Sequence, residues 1–117
     1  MTREEILAME PGSELNRLVA LRIMGYEPSR LQTGYVRKGA HATYPNPYST
    51  DISAAWEVVR RISKDYGVNV YEEDGAPCEC TLVRYPETVA VVGCSSAPEV
   101  ICKAALLAVL EEEETNE

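Results

Sequence analysis

The chain has 117 residues, enough for one domain around one core. Its 45% hydrophobic content excludes a disordered chain, and no apolar run approaches the roughly 20 residues that span a bilayer. A formal net charge of −8, from 11 basic and 19 acidic residues, speaks against binding long nucleic acid, which depends on neutralising phosphates.

The opening MTREEILAMEPG lacks an apolar signal core, so a cytoplasmic protein is expected. Thr2 and Glu5 have capping-box spacing, which predicts a short helix over about 3–9. Pro11, Gly12 and Ser13 break it. Ser13 then has the chemistry of an N-cap, Leu15, Leu18, Val19 and Ile23 recur at helical spacing, and Gly25 suits a C′ position. Residues 26–50 hold Pro28, Gly34, Gly39, Pro45 and Pro47, with a brief strand or hairpin around TGYVRKGAHATY. A connection this long in a small domain is usually functional or flexible.

DISAAWEVVRRISKDYG reads as an amphipathic helix. Ile52, Ala55, Trp56, Val59 and Ile62 form its apolar face, Thr50 or Asp51 its N-cap, and Gly67 its end. VNVYEE, CECTLVRY and TVAVVGC follow as three strands, joined by an Asp-Gly turn and a Pro-Glu turn into an antiparallel meander. The nearly continuous apolar TVAVVGC suits a central strand buried on two sides. A last helix starts after Ser96, with Pro98 in its first turn, and from Val100 to Leu110 Lys103 is its only charged residue. Such a helix is buried all round, by a neighbouring helix or by a second subunit, so a homo-oligomer is expected. The acidic run 111–117 reads as a solvated, frayed tail. These elements predict an α+β fold of one domain over 1–117. Its small, mostly antiparallel sheet, a three-stranded meander plus one further strand, lies between helices in α/β/α layers.

The chemistry-bearing residues point away from catalysis. One histidine, His41 in a loop, gives no nucleophilic triad, and no Gly-rich phosphate loop or metal motif is present. Cys78, Cys80, Cys94 and Cys102 lack C-x-x-C pairing, so they read as buried thiols rather than as zinc ligands or a required disulfide. No cofactor is expected. The segment 26–50 is locally cationic, with Arg30, Arg37 and Lys38 against Glu27, and it holds four of the seven tyrosines. Aromatics interleaved with cations suit a nucleotide, though the same composition also suits a packed loop. YSTD at 48–51 and CSSAPE at 94–99 each place hydroxyl residues at a helix start, where N–H groups receive anions or ordinary caps. The expected ligand site is Tyr44, Asn46, Tyr48, Ser49, Thr50 and Asp51, with Arg37, Lys38 and Arg84 supplying charge and Ser95 and Ser96 a second helix start. Pro45 and Pro47 would hold the two flanking tyrosines rigid.

YSTDISAAWEVV and APEVICKAALLAVLE, together with the opening MTREEILAMEPGSELNRLVALRIMG, resemble the phage ABA-sandwich domain family over nearly the whole chain. Arg is commoner than Lys in the family at the place of Lys103. The resemblance implies layers of helices, sheet and helices, and a phage or prophage gene expressed in a bacterial cytoplasm. The family describes a shape and does not set the function. For a small phage protein without catalytic groups, the aromatic-basic loop and the paired helix starts suit a non-enzymatic binding protein that sequesters a nucleotide signal of host immunity, such as a cyclic nucleotide or an ADP-ribose derivative. The alternative is an acidic protein-binding module that inhibits a host or phage protein. A phosphodiesterase-like enzyme is the third reading.

Overall fold

A computed structural model of the chain describes residues 1–30 and 33–115. In chain order the elements are α1 (Arg3–Ala8), α2 (Ser13–Arg22), β1 (Glu27–Pro28), β2 (Val36–Lys38), β3 (His41–Thr43), α3 (Ile52–Ile62), β4 (Gly67–Tyr71), β5 (Cys78–Arg84), β6 (Glu87–Cys94) and α4 (Ala97–Thr115). The fold is α+β, with four helices among the described residues.

β4, β5 and β6 make the antiparallel meander, in that order. Cys80 opposes Val70 on one side and Val92 on the other, and the ladder slips between Leu82 and Val83. Side chains alternate across the sheet. Cys78, Cys80, Leu82, Ala90 and Val92 therefore share a buried face, and Tyr71, Glu79 and Val91 an exposed one. TVAVVGC is thus an edge strand, not the central one. A meander puts its middle strand, here β5, in the centre, and the apolar run of β6 leaves Val91 outside.

The long connection supplies more structure than one added strand. β1, β2 and β3 form a separate antiparallel sheet beside α2, pairing Pro28 with Val36 and Val36 with Thr43.

α4 packs on β5 and β6 with one side, and α1, α2 and α3 pack on α4 from the other. Residues from Val100 to Ala108 are buried throughout, within a single chain. The apolar helix therefore calls for no second subunit, because the chain's own helices cover it. Lys103, 2% exposed, is satisfied inside this layer. Its ammonium donates to Glu99 Oε2 at 2.7 Å and to the Leu7 carbonyl of α1 at 2.9 Å.

Several boundaries move for identifiable reasons. Gly12, at φ +151°, is the N-cap of α2, and Ser13 is already helical. α2 ends at Arg22, and Gly25, at φ +80°, turns the chain two residues past the C-cap Ile23. α3 closes at Ser63, and Gly67 opens β4 instead of ending the helix. α3 buries Ala55, Val58, Val59 and Ile62, while Ile52 and Trp56 stay 44% and 48% exposed. At about 100° per residue those two lie roughly 70–110° round from the middle of the buried arc. The acidic run is not frayed over 111–115: α4 continues through it, Glu112 accepts from the Tyr66 hydroxyl and from Arg84, and Glu113 pairs with Arg22.

Candidate ligand-binding cleft

The segment TYPNPYSTD separates into an inner and an outer part. Tyr48 is 1% exposed and belongs to the core. Its hydroxyl is pushed up to about 12, mainly by burial and then by the nearby Tyr26 and Glu57. Ser49 is also buried: its N–H and Oγ–H donate to Asn16 Oδ1 at 2.8 and 2.6 Å, and its Oγ accepts from the Gly12 N–H at 2.9 Å. Ser49 pins the lead-in of α3 to the α1–α2 turn, and both residues are closed to a ligand. Asp51 fills the N-terminus of α3, accepting from the Ser53 N–H at 2.8 Å. Asn46 donates to Glu57, at 3.4 Å, and Thr50 is exposed.

The cations named from the sequence are dispersed. Arg37 pairs with Glu27 and donates to the Gly39 carbonyl. Lys38 stands over the Tyr26 ring, 5.6 Å from its centroid. Arg84 lies over Tyr66 at 4.6 Å and pairs with Glu112, near the end of α4. Ser95 and Ser96 turn to Glu99: the Ser95 hydroxyl donates to its carboxylate and Ser96 Oγ accepts its N–H, both at 3.4 Å. The predicted residues thus form no single constellation, and the helix starts of α3 and α4 are occupied by the chain's own side chains.

One of them, Tyr44, does line a cleft. The cleft has about 700 Å³, within the usual range for small-molecule sites, and lies between the start of α2 and the loop that follows β1. Tyr44 is 66% exposed and packs on Tyr35, with ring centroids 4.1 Å apart and planes tilted by 41°. A hydrogen bond with Tyr44 raises the Tyr35 hydroxyl above its ordinary value. The opposite wall is the first turn of α2, with Ser13, Asn16 and Arg17. Gly12 offers no side-chain cap there, so the first-turn N–H groups have no side-chain acceptor at the cap. Arg17 is partly exposed, and its Nε is buried without a hydrogen-bond partner. Glu14 is the acid of the lining.

Sequence reasoning missed Arg17 and the α2 start because Ser13 looked like a capping residue. Gly12 before it was the available signal, since a glycine N-cap brings no side-chain acceptor. Among the described residues no group of three or more His, Cys, Asp or Glu is placed to hold a metal ion, and no helix is long and apolar enough to cross a membrane.

With an α+β fold whose meander, apolar α4 and N-terminal helices stand in this order, the chain can be placed in a class. Residues 17–106 match the phage ABA sandwich domain, and the chain belongs to that family. It is also similar to a phage protein from Bacillus cereus ATCC 14579 of known crystal structure, with a TM-score of 0.73 and 30% identity over 86% of this chain and 93% of that one. Comparison with curated proteins gives no match.

Proposed function

We propose that this phage protein is a binding protein that sequesters a small nucleotide, of the cyclic-nucleotide or ADP-ribose class, and thereby silences a host immune signal. The observation that carries the reading is the cleft between α2 and the Tyr44 loop. The exposed Tyr44 on one wall, backed by Tyr35, offers a stacking surface for a base. Uncapped N–H groups and Arg17 on the other wall offer donors to a phosphate. Among the described residues the lining holds no histidine or cysteine, and binding without turnover is the chemistry we read from it. The protein acts in the cytoplasm of an infected or lysogenic host.

The test is a thermal-shift panel of cyclic dinucleotides and ADP-ribose derivatives, followed by heat release of whatever binds. A stabilising ligand recovered intact supports the proposal. A ligand recovered as a cleaved product favours the phosphodiesterase reading, and a panel without shifts removes the nucleotide reading.

A second reading has one observation in its favour. Ile52 and Trp56 form an exposed apolar pair one turn apart on α3, which suits contact with a protein partner. Trp56→Ala would then abolish capture of that partner and leave nucleotide-induced shifts intact.

A further inference from the structure

All four cysteines converge on the layer between the meander and α4, and two of them are directly opposed. Cys78, at the start of β5, pairs in register with Cys94, at the end of β6. Cross-strand partners share a sheet face, here the face beneath α4. Directly opposed residues of antiparallel strands have Cα atoms about 4.5–5.5 Å apart. A disulfide spans about 4.4–6.8 Å, so the backbone already meets its main requirement. Both thiols are free. Cys78 is buried, whereas Cys94 is partly exposed at the strand end and gives a soluble reagent a point of entry. Cys80 and Cys102 are fully enclosed.

We propose that Cys78 and Cys94 form a reversible dithiol–disulfide couple, closed by exchange with a low-molecular-weight disulfide such as oxidised glutathione. The Cys94 thiolate attacks one sulfur of that disulfide, forming a mixed disulfide and expelling one glutathione thiolate. The Cys78 thiolate then attacks the Cys94 sulfur, forming the cross-strand bond and expelling the second glutathione. The two cysteine protons end on the two glutathione thiols, and the protein loses two electrons that the reagent gains. Cys78 donates to Glu72 at 3.5 Å, and burial raises both thiols above their ordinary value, so the exchange is slow at neutral pH. The product ties the first residue of β5 to the last of β6, just where the chain turns into α4.

The folded, full chain is incubated overnight with oxidised glutathione, blocked with N-ethylmaleimide in denaturant and cut after glutamate. Glu79 separates Cys78 from Cys80, and Glu99 separates Cys94 from Cys102, so every pairing gives a distinct product. The expected result is loss of two of the four thiols and a fragment joining 74–79 to 88–99, which dithiothreitol splits. Cys94→Ser should keep its remaining thiols free under the same treatment. Four thiols remaining in the unaltered chain would overturn the proposal. So would a Cys80–Cys102 link, or glutathione held on Cys94 without transfer to Cys78. The map is read on the unaltered chain, so the outcome does not depend on the variant folding.

Discussion

The Ser49 hydroxyl joins two turns that are 37 residues apart, accepting from the Gly12 N–H and donating to Asn16. Removing it in Ser49→Ala leaves a buried donor and acceptor short of partners, and should cost about 1–3 kcal/mol in urea unfolding. Tyr44 and Tyr48 look equivalent in TYPNPYST, yet they respond in opposite ways. Tyr48→Ala empties a core position and should cost about 3–5 kcal/mol of stability. Tyr44→Ala should leave stability within about 0.5 kcal/mol of wild type and weaken nucleotide binding by about 1–3 kcal/mol. Paired melting curves and titrations check both. A four-residue separation in an irregular segment carries no periodicity, so which tyrosine turns inward was not legible. What decides it is the cluster of Ser49, Asn16 and Gly12, whose members are distant in sequence.

At the scale of elements, type was legible and facing only partly so. Caps and periodicity are local properties: Thr2 and Glu5 close their capping box, and Asp51 and Ser96 cap the helices they precede. Facing depends on which neighbour arrives, and α4 arrives from the far end of the sequence, which rotates the buried arc of α3 away from Trp56. Lys103 shows the same dependence. Lys103→Met leaves Glu99 buried without its counter-ion and the Leu7 carbonyl without its donor, and should cost about 3–5 kcal/mol. Replacing Glu99 by leucine in the same chain should recover most of that loss, and a double-mutant cycle in denaturant measures the coupling. Glu112 makes the end of α4 sensitive to acid. Hydrogen bonds from Tyr66 and then Arg84 hold its carboxyl below the ordinary range. The stabilisation is complete above the unfolded value of about 4.3 and is lost as pH falls through the lowered folded value. Glu112→Gln should therefore flatten the acid side of a plot of unfolding midpoint against pH.

For the molecule as a whole, the charge of −8 separates the two functional readings. An anionic nucleotide approaches against the long-range field, so its association should quicken as salt rises from about 10 to 150 mM. A basic protein partner would associate more slowly over the same range. Stopped-flow rates at two ionic strengths decide between them. The position of α4 has a further consequence, for the order of assembly. α1, α2 and α3 each rest on a helix that the ribosome makes after all of them, and Lys103 closes on Leu7 across 96 residues. Until α4 emerges, the earlier helices expose apolar faces with nothing to cover them, and the meander has one bare side. The nascent chain should therefore gain protease resistance in one late step and not element by element. Ribosome-stalled chains in which residue 96 is the last to clear the exit tunnel should be digested as readily as an unfolded chain, and those in which α4 has cleared it should be protected.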